Sequence, residues 1–377
     1  MSRQQRENGD MSASLAAVAR TVQEMRRRPH DPLTVKDLAR QANLGVWQYR
    51  MLFKQLTGRT PSDYLTRLRI NRSKELLLTT RDKVSQVARS AGYPDEYYFN
   101  RRFKQSEGVT PKQYARDAGR RRNVIALAGL GDLLAIGVLP VGADAQVLSW
   151  LATGDTAGIE RVSLGNEDRV ASLRPDIVLA NRYTDARLIE SLRPAAPVVM
   201  LEEGLGMLDS LRSTAGLLGM RGEAAAWIER YEASAEAAGA VRRELARGET
   251  ALFVHVVRDA LYLYRPEQMP VLYDVLGFLP PPRLLEAMRT ARRLFIPPAA
   301  LAEYAADRLF VVCGTMPGAR DTYAELLGGE CWSRLPAVRA GHVYHPDERW
   351  TLDGTIALDW QLAGIRQLMQ RKNRQLR

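Results

Sequence analysis

Between Leu33 and Lys104 one local pattern occurs twice, and that repetition constrains the fold more than any other feature. The first copy reads Leu33-Thr-Val-Lys-Asp-Leu-Ala-Arg-Gln-Ala-Asn-Leu-Gly-Val-Trp-Gln-Tyr-Arg-Met-Leu-Phe-Lys54. The second reads Val84-Ser-Gln-Val-Ala-Arg-Ser-Ala-Gly-Tyr-Pro-Asp-Glu-Tyr-Tyr-Phe-Asn-Arg-Arg-Phe-Lys104. Each opens on a short apolar helix with a small residue, Ala39 or Ala88, and reaches a turn residue four positions later, Asn43 or Gly92. Both turn residues tolerate the left-handed backbone that a tight inter-helix turn needs. A second amphipathic helix follows and ends in Phe-Lys. The spacing predicts two helix-turn-helix units in tandem.

Their surroundings fit that reading. Leu15, Val18, Ala19, Val22 and Met25 recur at helical spacing and predict a supporting helix closed by Pro29. Pro61 opens a long helix to about Thr80, with Tyr64, Leu65, Leu68, Leu76 and Leu77 as its apolar stripe. Such a helix can hold two reading heads about 34–36 Å apart, one turn of duplex DNA. Charge agrees. The chain carries +11, distributed unevenly. Residues 11–122 hold 24 Lys and Arg against 10 Asp and Glu, a net +14, whereas residues 123–377 hold 28 against 31, a net −3. A strongly basic module joined to a slightly acidic one fits nucleic-acid binding confined to the first third.

The spaced residues Leu52-Phe53-Lys54-x-x-x-Gly58-x-x-Pro61-x-x-Tyr64-Leu65, Ala88-x-x-x-Gly92-Tyr93, Phe99-x-x-x-Phe103-Lys104 and Gly108-Val-Thr-Pro111-x-x-Tyr114 resemble the AraC/XylS-type transcription regulators. The match covers roughly residues 11–118. Gly45 departs from the family's usual Ser but remains a usable N-cap, and Tyr97 stands where a small polar residue is usual. The resemblance implies base contacts on the outward faces of the two second helices: Trp47, Gln48, Arg50 and Met51 in one, Glu96, Tyr97, Asn100 and Arg101 in the other. Arg and Asn suit guanine and adenine edges, and Trp and Met suit thymine methyls. Lys54, Arg102 and Lys104 are expected to hold phosphates, which position without specifying. Helical spacing assigns Tyr49, Leu52, Phe53, Phe99 and Phe103 to the core.

The remainder is of another kind. No apolar run approaches the ~20 residues of a membrane helix, the N-terminus lacks an apolar signal segment, and two cysteines make no disulfide framework. A cytoplasmic protein without membrane partners is expected. After Arg120-Arg-Arg122, strand-like runs alternate with helical ones. Val124–Ala128, Val162–Leu164, Ile177–Ala180 and Val198–Leu201 read as buried parallel strands. Ala251–Val257, Ala260–Tyr264, Leu309–Cys313 and Val343–Tyr344 form a second set. Between them, Arg221–Leu245 is rich in Ala, Glu and Arg without Pro and predicts a long helix. The predicted architecture is multidomain: a disordered tail at 1–10, an all-α double helix-turn-helix domain at 11–118, a linker at 119–123, and a two-lobed α/β domain at 124–377. Its lobes span 124–205 and 248–377, joined by helices at 206–247.

Val170-Ala-Ser-Leu-Arg-Pro-Asp-Ile-Val-Leu179, Leu272-Tyr-Asp-Val-Leu-Gly-Phe-Leu-Pro-Pro281, Ala305-Ala-Asp-Arg-Leu-Phe-Val-Val312 and Trp332-x-x-Leu335-Pro-Ala-Val-Arg-Ala-Gly-His-Val-Tyr344 resemble, in that order, the solute-binding proteins for ferric siderophores, haem and cobalamin. The resemblance implies a periplasmic-binding-protein-like sensor, with a ferric siderophore as effector and activation of siderophore-uptake genes as output. Haem, cobalamin or another small molecule is the alternative, and a domain that only dimerises is a third reading. Partners are duplex DNA and the effector, with RNA polymerase and a second copy of the chain as further candidates.

Ligands in open α/β lobes sit beyond the carboxyl ends of the strands. That criterion selects Arg182 and Tyr183, Glu202 and Glu203, Arg258, the loop Gly314–Arg320, and Asp347–Leu352. Guanidinium groups meet oxygen-rich anions with several donors, and aromatic rings supply apolar walls. Arg182, Tyr183, Arg258, Arg349 and Trp350 are therefore expected to line the cleft. Gly129-Leu-Gly131 lacks the third glycine of a nucleotide loop. His342 and His345, three apart on a strand, face opposite sides, so no direct metal site is expected and iron would arrive inside its chelator. No nucleophile, base and acid set has interpretable spacing, so no enzyme is expected.

Overall fold

The computed structural model describes residues 3–117, 123–151, 156–245, 248–291, 294–352 and 354–375. Helix α1 (Arg3–Arg27) begins within residues 1–10, for which the polar composition predicts a disordered tail. Helices α2 (Val35–Gln41) and α3 (Val46–Thr57) make the first helix-turn-helix unit, and α5 (Val84–Ser90) and α6 (Glu96–Glu107) the second. Between them runs α4 (Pro61–Thr79), and α7 (Pro111–Arg116) closes the domain. The turn residues adopt the left-handed conformation, Asn43 with φ 56° and Gly92 with φ 86°. At Gly92 a Cβ would also lie 2.7 Å from the His30 Cα, so glycine is required on two counts. The helices start on side-chain caps: the Thr34, Thr60 and Thr110 hydroxyls and the Asp95 carboxylate each accept from a backbone N–H in the first turn. Pro61 and Pro111 follow at N1, where a missing N–H costs nothing.

Two small cores fill this domain, and α4 serves both. Tyr64, Leu65 and Leu68 join Leu38, Tyr49 and Phe53 around the first unit. Further along the helix Ile70 and Leu76 join Ala88, Phe99 and Phe103 around the second. At 1.5 Å per residue the 19 residues of α4 span about 28 Å. Lys74 ties the second unit to this strut, pairing with Glu107 at 3.0 Å and lying over the Tyr114 ring.

The expected linker at 119–123 lies outside the described residues except for Asn123, which already pairs with Asp176 at the foot of lobe one. Lobe one holds β1 (Val124–Ala126), α8 (Leu130–Ala135), β2 (Gly142–Asp144), α9 (Ala145–Trp150), β3 (Glu160–Val162), α10 (Glu167–Ser172), β4 (Ile177–Ala180), α11 (Ala186–Leu192) and β5 (Val198–Met200). Its sheet is parallel with order β3-β2-β1-β4-β5. The order turns outward in opposite directions from β1 and β4, which puts the topological switch point between them.

Helices α12 (Met207–Leu218) and α13 (Arg221–Leu245) lead to lobe two. There β6 (Ala251–Val257), β7 (Ala260–Leu263), α14 (Pro282–Met288), β8 (Leu294–Ile296), β9 (Arg308–Cys313), α15 (Ala319–Gly328), α16 (Glu330–Arg334), α17 (Pro336–Arg339), β10 (Val343–Tyr344) and α18 (Ile356–Gln375) follow. This second sheet, β10-β9-β6-β7-β8, is mixed: β6 pairs with β9 in parallel and with β7 antiparallel. One core spans both lobes and α13, from Val124 and Leu133 through Trp227 to Phe253 and Phe310. Sequence patterning passes over β2 and β8. Each is three residues long, and β2, Gly142-Ala-Asp144, carries no β-branched or large apolar residue to mark it.

Candidate functional site

The outward faces of α3 and α6 carry the expected base-contacting residues. Trp47, Gln48, Arg50 and Met51 are exposed, as are Glu96, Tyr97 and Arg101, while Asn100 is half-buried. Two large apolar side chains stand out in water, Trp47 at 73% and Tyr97 at 80% exposure. A helix face that leaves such groups solvated, beside Arg50 and Arg101, offers both apolar contact and paired donors to a groove. Lys54 and Lys104 are exposed at the last turns. Arg102 is differently placed. It is half-buried, donating to Gln105 at 3.0 Å and reaching Thr66 of α4, so it braces α6 against the strut and does not stand free toward phosphates.

A second candidate site lies between the lobes. A cleft of about 680 Å³ opens at the switch point. Ala128 and Gly129 after β1, Asn181 and Tyr183 after β4, and Leu201 to Leu205 after β5 form its lobe-one wall. Met207 and Ser210 of α12 form its base, and Arg265, Gln268 and Gly354 come from lobe two. Gly354 has φ 116°, and a Cβ there would lie 2.8 Å from the Gly131 Cα, so the two lobes touch through bare backbone.

Beneath the cleft sits Asp132, 1% exposed. Its Oδ1 accepts from the Thr355 N–H and hydroxyl, both at 3.0 Å. Its Oδ2 accepts from Ser210 at 2.8 Å and Thr214 at 3.4 Å. Burial raises its pKa, and the donors from Thr355, Ser210 and Thr214 oppose that rise. One carboxylate thus joins α8, α12 and the start of α18. An acid inside the apolar run Leu130-Gly-Asp-Leu-Leu-Ala was the signal sequence reasoning passed over.

The five expected ligand residues do not converge. Tyr183 lines the cleft, and Arg182 stands beside it at the rim, paired with Glu203 at 2.9 Å. Arg258 lies away from the lining, in the two-residue turn between β6 and β7 with φ 43°, its carbonyl accepting from Thr322. Arg349 pairs with Asp347 at 2.8 Å and lies over the Trp360 ring, also outside the lining. Trp350 is a core residue, 2% exposed, its ring near-parallel to those of Phe253 and Phe310 at 6.2 and 6.3 Å between centroids, with Gly364 packed against it. The strand-end criterion fails in lobe two because β7 runs antiparallel, which brings Arg265 and Gln268 to the cleft from the opposite edge.

The two sites are connected. Between α11 and β5 the chain docks on α4: Arg67 donates to the Pro194 and Ala195 carbonyls at 2.5 and 3.2 Å, and Asn71, 6% exposed, donates to the Arg193 carbonyl at 2.8 Å. The Arg193 guanidinium lies between Glu190 at 2.8 Å and Glu75 of α4 at 3.4 Å. Cavities of about 220 and 770 Å³ flank this junction. Among the described residues no three His, Cys, Asp or Glu side chains come together as a metal site, and no helix is long and apolar enough to cross a membrane.

Two family models match the chain: a helix-turn-helix domain over residues 38–117 and a periplasmic binding protein over residues 124–349. The HTH-type transcriptional activator Btr of Bacillus subtilis is 24% identical over 350 residues, which is 89% of this chain and 65% of that protein. The chain therefore spans just under two thirds of that relative's length. The probable siderophore-binding lipoprotein YfiY of the same organism is 24% identical over 259 residues, 63% of this chain and 78% of its own length. Among solved structures, FhuD2 of Staphylococcus aureus with bound ferrioxamine B superposes with a TM-score of 0.57 at 18% identity, covering 65% of this chain and 97% of that one. SirA of the same organism, complexed with staphyloferrin B, gives 0.55 at 20% identity, over 67% and 93%. These likenesses show the fold alone, over about two thirds of the chain.

Proposed function

This chain belongs to the periplasmic binding protein family, with an AraC-type helix-turn-helix domain ahead of that fold, and from that premise we propose that it is a cytoplasmic, sequence-specific transcription regulator governed by a small molecule bound between its lobes. The proposed effector is a ferric siderophore and the proposed output is activation of siderophore-uptake genes. DNA enters along α3 and α6, with Trp47, Gln48, Arg50, Met51, Glu96, Tyr97, Asn100 and Arg101 toward the bases and Lys54 and Lys104 toward phosphates.

The observation that carries this reading is the position of β5. The chain entering this strand is docked on α4, the strut that holds both reading heads, and the chain leaving it forms the cleft wall from Leu201 to Leu205. Five residues, 196–200, of which the last three are β5, separate the docked carbonyls from the cleft wall, at most about 20 Å of extended chain. A ligand shifts DNA occupancy only by preferring one arrangement of these parts over another. The continuous core through α13 favours a small lobe movement that re-sets the angle of α4.

The test is a titration of the full chain with ferric and iron-free siderophores, haem and cobalamin, read by tryptophan fluorescence. Saturable binding of one ferric chelate, with its iron-free form weaker, is the expected result. Silence of a folded protein across the panel would contradict the reading.

A further inference from the structure

We infer that the cleft between the lobes takes a positively charged ligand, with Glu202 as its counter-ion and the Tyr183 ring as its aromatic wall; the inference rests on the reading of this cleft as the effector site. Four charged side chains line the cleft, Asp132, Glu202, Glu203 and Arg265. Three of the four already have partners. Asp132 is turned inward onto Thr355, Ser210 and Thr214. Glu203 is neutralised by Arg182. The Arg265 guanidinium donates to the carbonyls of Ala291 and Met288 at 3.0 and 3.1 Å and lies 3.6 Å from Glu267, so its donors point out of the cleft. Glu202 is exposed on the cleft wall and has no hydrogen-bond or ion-pair partner among the described residues.

Two further features suit a cation. The Tyr183 ring is 55% exposed and already has the Arg182 guanidinium 5.6 Å from its centroid. A ring face attracts cations through its quadrupole. Leu201, Leu205 and Met207 give the body of the ligand an apolar wall. An anionic chelate entering the same cleft would meet Glu202 with no uncommitted guanidinium among the lining residues. An ammonium-bearing chelate would meet a carboxylate and an aromatic face together.

Three probes separate the possibilities on the full chain: a ferric trishydroxamate with a free terminal ammonium, the same chelate acetylated on that nitrogen, and an anionic ferric tris-catecholate. The ammonium form should bind about five- to tenfold tighter than the acetylated form, a modest ratio because Glu202 is solvated. Added salt should narrow the ratio. Glu202→Gln should abolish it. Glu203→Gln, which releases Arg182, should improve binding of the catecholate. Equal binding of the two hydroxamates, or tightest binding of the catecholate to the unmodified chain, overturns the inference and leaves the effector reading standing. Binding of none overturns the effector reading and the inference with it.

Discussion

Replacing Asn71 and Arg67 together by alanine should release the sensor from the DNA-binding domain. Asn71 is buried and donates at 2.8 Å to the Arg193 carbonyl. Its removal leaves the Arg193 oxygen unpaired, a cost of about 1–2 kcal/mol. Arg67 contributes two donations to the neighbouring carbonyls. Because its guanidinium is exposed, that contribution is discounted to about 1 kcal/mol. The sum, about 2–3 kcal/mol, shifts the undocking equilibrium roughly 30- to 140-fold at 1.4 kcal/mol per decade. Hydrogen exchange followed by mass spectrometry reads this without ligand or DNA. In the double variant, peptides from α4 and from 188–200 should lose protection by up to that factor, while the cores around Phe53 and Phe103 keep theirs. Unchanged protection at 188–200 would show that these hydrogen bonds do not hold the domains together, and the route from cleft to α4 would fall with them.

Other perturbations address the parts separately. Arg101→Ala should cost about 1–3 kcal/mol on the preferred duplex and relax preference at one base pair, whereas Lys104→Ala should weaken binding to all duplexes alike and lower the salt slope by about one; matched binding curves at several salt concentrations distinguish them. Asp132→Ala leaves Thr355, Ser210 and Thr214 without their acceptor and should cost roughly 2–4 kcal/mol in urea unfolding, with Asp132→Asn losing less. Burial lowers the His255 pKa from 6.5 to about 4, so the folded state disfavours the charged ring. Between those values the unfolded chain binds the extra proton. Stability is therefore full above pH 6.5 and falls by up to about 3 kcal/mol as pH drops toward 4. His255→Phe should flatten that dependence in thermal melts, and an unchanged acid slope would refute the assignment.

The DNA-binding half was legible because its signals are local. Asn43 and Gly92 reveal the turns through backbone sterics, Pro61 and Pro111 mark helix starts, and the Phe53 and Phe103 spacing gives the buried faces. Arg102 was not legible, since its bond to Thr66 depends on how α6 packs on α4. In the second half Ile177–Ala180 and Ala251–Val257 announce themselves as apolar runs, and the order of strands and helices gives two lobes. The cleft depends on tertiary relations that no window contains. Arg265 reaches it because β7 is antiparallel, and Trp350 leaves it because its ring packs against Phe253 and Phe310, far away in sequence. Asp132 offered the clearest missed signal, an acid alone on an apolar helix.

The central claim is that occupancy of the cleft governs DNA binding by the double helix-turn-helix domain. The direct measurement is the Kd of the full chain for a duplex selected from a random pool by the chain itself, with and without a saturating ferric chelate identified by the fluorescence panel. The account predicts at least a fivefold change, the lower end of ordinary allosteric coupling, which disappears in the Asn71→Ala, Arg67→Ala variant although the chelate still binds. Superimposable isotherms with and without bound chelate would contradict it.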